Sequence, residues 1–151
     1  MKPPAYRLAI DYGTSNTAAA IRWPDGRARC LLFDGSPTLP SAVLRQPDGA
    51  LLTGRDAAHS ARLDPASFEP NPKRRIDEGT LLLGSGTVPV VDVVAATLRR
   101  VTGEANRVGA AAPSDVVLTY PAGWGAVRRS VLVDAAAKAG IAAPILIPEP
   151  V

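Results

Sequence analysis

The sequence has little of the chemistry that builds metal centres and cross-links, with one cysteine, Cys30, and one histidine, His59. A single cysteine cannot form an internal disulfide, and these two residues cannot supply the four ligands of a structural zinc site. No apolar run approaches the roughly 18 residues of a membrane-spanning helix, and the N-terminus lacks the apolar segment of a signal peptide. We therefore expect a cytoplasmic protein with no disulfide, no structural zinc and no membrane partner.

Aromatic residues are also scarce, at 5% of the chain, and no long basic run exists despite a formal net charge of +3. The 14 arginines and 3 lysines are scattered, and their longest cluster is Lys73-Arg74-Arg75. Base stacking needs aromatic faces, and phosphate binding along a strand needs a continuous basic surface. The sequence therefore predicts no nucleic-acid partner.

The remaining composition is that of a folded globular protein. Of the 151 residues, 46% are hydrophobic and 21% are charged, and the mean hydropathy is +0.07. This length suffices for one domain with its own core. The 13 glycines and 15 prolines exceed average usage and indicate many turns.

Three short apolar runs near the N-terminus, at residues 6–11, 17–23 and 27–33, are separated by polar turns that contain glycine. This pattern predicts a three-stranded antiparallel meander. Cys30 lies in the third run, where we expect a buried and inert thiol.

Residues 34–88 are rich in Pro, Gly, Asp and Arg, with only short apolar pieces. We expect a small irregular insert subdomain here, with a short helix at 57–63. The stretch 68–76 contains two prolines and is predicted to be mostly loop.

The apolar period changes after this insert. Val91, Val94, Leu98 and Val101 recur with helical spacing and predict a helix over 90–108. A strand at 115–120, a helix at 126–139 with Val127, Val131 and Ala135 on one face, and a strand at 145–147 follow. Strands linked by helices are typical of right-handed parallel crossovers. The predicted fold class is α/β, a mixed sheet of about five strands with flanking helices.

The densest functional signal is the octapeptide IDYGTSNT at residues 10–17. A strand would deliver the Asp11 carboxylate, which suits Mg²⁺, to a tight turn in which Gly13 leaves room for a ligand. Hydroxyl, amide and backbone donors for phosphate follow at Thr14, Ser15 and Asn16. An ordinary polar hairpin, whose Asp and Asn satisfy their own backbone, explains the same residues equally well. The chain has neither the GxxxxGK[ST] nor the GxGxxG phosphate motif.

This octapeptide resembles the first phosphate-binding hairpin of the superfamily that contains actin, sugar kinases and the seventy-kilodalton heat-shock chaperones. Four further stretches, in the family's order, resemble the chaperone branch. They are TLPSAVL (38–44), the series TGRDAA (53–58), DP (64–65) and KR (73–74), VLTYPAGWGAVRR (117–129), and IPEP (147–150). The matches span nearly all of the chain.

The resemblance implies a ribonuclease-H-like, actin-like ATPase fold, with residues 1–33 and 89–151 as an incomplete first-lobe core and 34–88 as its insert. It implies ATP and Mg²⁺ as cofactors, with Asp11 in the metal shell. It places the phosphates around Gly13, Thr14, Ser15 and Asn16. Lys73 and Glu149 would be catalytic, near the γ phosphate and the metal-bound water. Without the family resemblance, the plain interpretation of Lys73 is a residue of a solvated basic face, and that of Glu149 is an ordinary carboxylate.

Pro121 and Arg129 match positions that transmit the nucleotide state to a substrate-binding domain. The implied partners are ATP and ADP and, in a full-length protein, unfolded client peptides and co-chaperones. A strand-ending proline and a first-turn helix arginine are the plain structural explanations of these two residues.

The sequence departs from the family in three places. Trp124 follows Gly123 where the family has Tyr-Phe after the proline, and the stretch 76–89 is shorter and is expected to lack the family's extra strands. The second phosphate loop, the second lobe and a peptide-binding domain have no counterpart, so we expect the chain alone to be inactive. A fragment of a sugar or small-molecule kinase of the same superfamily, and a non-catalytic interaction module, remain alternatives.

Overall fold

The structure, a computed structural model, describes residues 2–151. The described residues form eleven β-strands and three α-helices, and the first six strands precede the first helix. The strands are β1 (Arg7–Tyr12), β2 (Asn16–Arg22), β3 (Ala28–Cys30), β4 (Leu39–Pro40), β5 (Val43–Arg45), β6 (Leu51–Thr53), β7 (Phe68–Glu69), β8 (Thr80–Leu83), β9 (Gly86–Pro89), β10 (Asp115–Tyr120) and β11 (Ile145–Pro148). The α-helices are α1 (Gly54–Ser60), α2 (Val90–Gly109) and α3 (Ala126–Lys138).

The main sheet is mixed, as the sequence predicts, in the order β11-β10-β1-β2-β3, with β4 also paired to β2. β1, β2 and β3 form the predicted antiparallel meander, and β1, β10 and β11 run parallel. Every second side chain of β1 is buried, because successive side chains of a strand point to opposite faces. Cys30 on β3 is exposed, which corrects the expectation of a buried thiol. This α/β architecture is compatible with a fragment of an actin-like ATPase.

α2 covers the sheet with the apolar stripe that its sequence period predicts, and Val94, Leu98 and Val101 on it are fully buried. α3 packs against α2 through a face that only partly matches the predicted one, because Ala135 is buried and Val131 is partly buried as predicted but Val127 is not. Its buried residues are Leu132, Ala135 and Ala136, whereas Val127 is 78% exposed. The weak apolar stripe of this Ala-rich helix explains the error. None of the helices in residues 2–151 is long and apolar enough to cross a membrane.

The insert contains two small sheets. β5 lies between β6 and β7, while β8 and β9 form a hairpin, so the expectation that the chain lacks extra strands between 76 and 89 is wrong. The short helix begins at Gly54, three residues before the predicted start. Within the segment predicted as loop, Pro72–Arg75 forms one turn of 3-10 helix.

Candidate functional site

The carboxyl ends of the three parallel strands meet at one edge of the main sheet. Asp11 is exposed there on β1, and its Oδ1 accepts a hydrogen bond of 3.0 Å from the Thr119 hydroxyl of β10. Glu149 follows β11, and its backbone N–H donates to the Tyr120 carbonyl over 2.7 Å. Two of the predicted acidic residues therefore lie at the same edge, where ligands usually bind in such sheets.

The turn between β1 and β2 is closed by the Gly13 N–H, which donates to the Asn16 carbonyl oxygen over 3.1 Å. A Cβ atom at position 13 would lie only 2.2 Å from that oxygen, so the turn requires glycine. Ser15 and Asn16 are exposed and Thr14 is half-buried. The predicted phosphate-binding residues thus form a tight, accessible turn.

Ser41 anchors this turn from the insert, and sequence reasoning assigned it no role. Its hydroxyl donates to the Gly13 carbonyl over 2.8 Å and lies 2.9 Å from the Thr17 hydroxyl, while its N–H donates to the Ser15 carbonyl. Both hydroxyl side chains are fully buried. Ser41 lies in the TLPSAVL stretch, but no local pattern marks this role, because it arises from contacts with residues 24 and 28 positions away in the sequence.

Lys73 lies in the 3-10 turn and is brought to Glu149 across 76 residues of sequence. Its Nζ donates to Glu149 Oε1 over 2.9 Å, and the lysine side chain is only 8% exposed. The same ammonium is 5.7 Å from the centroid of the Trp124 ring, a cation–π distance. The structure therefore places both residues predicted as catalytic in one ion pair.

A cleft of about 210 Å³ opens beside this ion pair. Its lining residues come from the turn between β1 and β2, the lysine segment, the loop after β10 and the first turn of α3. They are Thr14, Lys73, Arg74, Ile76, Asp77, Pro121, Trp124 and Arg128. The cationic side chains of Lys73, Arg74 and Arg128 line this space against the single carboxylate of Asp77, so the lining carries a net positive charge and suits an anionic ligand.

Pro121 and Arg129 flank the connection from β10 to α3. Pro121 lines the cleft and accepts a hydrogen bond from the Trp124 N–H over 2.9 Å. The Arg129 guanidinium stacks on the Tyr120 ring, 5.5 Å from its centroid, and among the described residues its buried Nε has no hydrogen-bond partner. The two residues are thus near neighbours of the Lys73 site, joined to it through Tyr120 and Trp124.

No group of three or more His, Cys, Asp or Glu side chains within residues 2–151 is arranged to hold a metal ion. Asp11 nevertheless offers an exposed carboxylate whose Oδ1 is oriented by Thr119. Mg²⁺ in phosphate sites usually takes one or two carboxylates, with the other ligands from phosphate and water. The residues present fit that kind of partial donor set.

Comparison with known proteins identifies two chaperones similar to this chain. The "Chaperone protein DnaK" of Picrophilus torridus is 29% identical over 159 aligned positions, which cover 95% of this chain and 24% of that protein. The "Chaperone protein HscA homolog" of Azotobacter vinelandii is 31% identical over 176 positions, which cover 99% of this chain and 28% of that protein. No family model matches the sequence. The chain spans about a quarter of the length of these curated relatives.

Proposed function

Because the chain is homologous over nearly all of its length to chaperones of the seventy-kilodalton heat-shock family, we propose that it contributes half of an ATP-hydrolysing site. In this proposal the chain supplies the first phosphate-binding hairpin and the catalytic lysine of a longer chaperone. Unfolded client peptides and co-chaperones would be the partners of that longer protein. The chain alone would bind phosphate weakly and would not hydrolyse ATP.

The ion pair between Lys73 and Glu149 is the observation that carries this proposal. A lysine within a run of three basic residues is expected to face water, yet Lys73 is buried and paired beside Thr14 and the cleft. Burying an ammonium is costly unless a partner compensates for its lost hydration. A site that needs a fixed positive charge near a phosphate explains why this side chain is directed inwards.

The residues divide the work of phosphoryl transfer to water among them. Backbone N–H groups and side chains at 13–16 would bind the phosphates, as donors in tight turns do. The Lys73 ammonium would stabilise the charge that develops on the transferred phosphoryl group, which is the main catalytic need in this chemistry. Glu149 would hold that ammonium in place and accept a hydrogen bond from the attacking water.

Asp11 is the residue best placed to bind Mg²⁺, directly or through water. Mg²⁺ would neutralise phosphate charge when bound. The hydrogen bond from Thr119 fixes the rotamer of Asp11, so that Oδ2 stays available to the cation.

Pro121 and Arg129 would pass the nucleotide state to a substrate-binding domain. The position of both residues supports this role, since Pro121 lines the cleft and Arg129 stacks on Tyr120, the residue that precedes Pro121. Both relatives are named as chaperones, which favours this proposal over the sugar-kinase alternative.

The substitution Lys73→Ala tests the proposal in the longest natural form of the protein. We expect kcat for ATP hydrolysis to fall about 100-fold or more, because the main charge-stabilising group is lost. We expect ATP affinity, measured by calorimetry, to change only a few-fold, because the donors at 13–16 remain. Lys138→Ala is the matched control, since Lys138 pairs with Asp92 on the surface, away from the cleft. Wild-type turnover by Lys73→Ala would refute the assignment.

A further inference from the structure

The turn that carries Lys73 is held by a buried carboxylate, Glu69, which is only 7% exposed. Glu69 Oε2 accepts the backbone N–H of Asn71 over 3.0 Å, and Oε1 accepts Arg75 Nη1 over 2.9 Å. These two partners lie two residues before and two residues after Lys73. One carboxylate therefore fixes both ends of the segment from which the lysine extends.

Arg75 is itself held on two sides, because its Nε also donates to Glu78 Oε2 over 2.8 Å. The hydrogen bonds that Arg75 donates to Glu78 and Glu69 raise the pKa of its guanidinium, so its charge is permanent. The planar guanidinium forms directional bonds to carboxylates, unlike a point charge. These bonds therefore fix the orientation of Arg75 at the end of the turn, in addition to attracting its charge.

The same network reaches the phosphate-binding hairpin. With its amide nitrogen turned towards them, the Asn71 side chain donates to the Pro70 and Thr14 carbonyls, each over 3.2 Å. Burial, together with the negative charge of Glu69, raises the pKa of the Tyr12 hydroxyl on β1. Glu69 is thus bonded directly to the lysine turn and is linked to the hairpin through Asn71.

We propose that Glu69 is a positioning residue that sets the location of the Lys73 ammonium through its hold on Asn71 and Arg75. Lysine has a flexible four-carbon side chain, so the point its ammonium reaches depends on the backbone that carries it. Loss of Glu69 frees that turn and lets Lys73 leave Glu149. The structural part of this inference stands on the contacts alone, and its effect on catalysis rests on the proposed function.

Acetylation of lysines provides the test, because the chain has only three, Lys2, Lys73 and Lys138. The 151-residue chain is treated with limiting N-hydroxysuccinimidyl acetate, and the acetylation rate of each lysine is measured by mass spectrometry. Lys73 is the slowest in the wild type, because it is buried and paired. Glu69→Ala increases the Lys73 rate by about fivefold or more, since that rate follows local opening of the turn. The rates of the other two lysines do not change.

Two variants and a control separate positioning from general stabilisation. Glu69→Gln keeps an acceptor for the Asn71 N–H but loses the charge facing Arg75, and it gives an intermediate Lys73 rate. Arg75→Met removes the guanidinium bonded to Glu69, adds no lysine to the chain and increases the Lys73 rate, so the test holds if Glu69→Ala fails to fold. Glu104→Ala is the control, because it breaks the ion pairs of another mostly buried glutamate, with Arg100 and Arg107 on α2, and leaves all three rates unchanged.

An unchanged Lys73 rate in folded Glu69→Ala and Arg75→Met overturns the proposal. An equal rise at all three lysines overturns it too, because it reports general loosening. In the longest natural form, Glu69→Ala is expected to lower kcat with KM unchanged. If Lys73→Ala keeps full turnover while Glu69→Ala still exposes Lys73, the proposed function fails and the positioning role stands.

Discussion

Ser41 shows how much of the candidate phosphate site depends on one small residue outside it. Its side chain joins the Gly13 carbonyl to the buried Thr17 hydroxyl, and its backbone joins Ser15. A buried polar group contributes to stability only when it is hydrogen-bonded. The Gly13 carbonyl and the Thr17 hydroxyl therefore depend on Ser41 as their partner. The shape of the hairpin therefore depends on the insert as well as on its own glycine.

The substitution Ser41→Ala should destabilise the chain by about 1–3 kcal/mol, because it leaves the Thr17 hydroxyl and the Gly13 carbonyl without a partner. Urea denaturation followed by circular dichroism measures the change. Ser130→Ala is the matched control, since that serine is on the surface of α3 and bonds only its own helix carbonyl. Equal effects of the two substitutions would contradict the anchoring role.

Sequence reasoning found some residues of the site and missed others for a physical reason. Lys73 and Glu149 could be named from motifs, although their contact depends on a fold that joins distant segments. Ser41 and Glu69 were missed, because a serine in a Pro-rich stretch and a glutamate between prolines are unremarkable until their burial is known. Roles that arise from hydrogen bonds across the fold leave no local pattern in the chain.

At the scale of secondary structure elements, the strands of the main sheet and the long helix could be predicted, whereas the short strands of the insert could not. The bounds of β10 are as predicted, and α2 differs by one residue at its end. The β8–β9 hairpin was missed, because strands of four residues form only when a partner and a core are present. Gly54 begins α1 with a φ of +59°, and a Cβ atom at this position would lie 2.4 Å from a methyl carbon of Leu39. No helical pattern in the sequence indicates this close approach.

Leu98 on α2 tests whether the helix contributes to the core as its period suggests. Leu98→Ala should lower the free energy of unfolding by about 2–5 kcal/mol, because a fully buried side chain leaves a cavity. Thermal and urea denaturation measure the loss. Leu63→Ala is the control, since Leu63 is 94% exposed, and it should change stability by less than about 0.5 kcal/mol. A similar loss in both variants would contradict the packing.

On the scale of the whole molecule, the insert shares one hydrophobic core with the main sheet. Val43, Ile76, Leu81 and Leu83 of the insert belong to the same buried cluster as the side chains of β1 and α2. Contact between two regions through a common core makes them unfold together. The boundaries drawn at 34 and 88 therefore separate segments of sequence and not independent folding units.

This shared core predicts a single cooperative unfolding transition. Amide hydrogen exchange under mild urea should give the same opening free energy at Leu8 and Leu118 of the sheet as at Leu81 and Leu83 of the insert. Circular dichroism should report one transition at the same midpoint. Earlier opening of the insert, by more than about 1 kcal/mol, would show that it folds separately.

Because Trp124 packs against the Lys73 ammonium, its fluorescence can report the binding of a ligand in the cleft. The chain has only two tryptophans, so Trp23→Phe leaves a single tryptophan, whose ring centroid is 5.7 Å from the Lys73 ammonium. Indole emission responds to a nearby charge, and an anion that draws the ammonium away from the ring would change its intensity and wavelength. Arrival of a phosphate could then be followed in real time, without any label on the protein or the ligand.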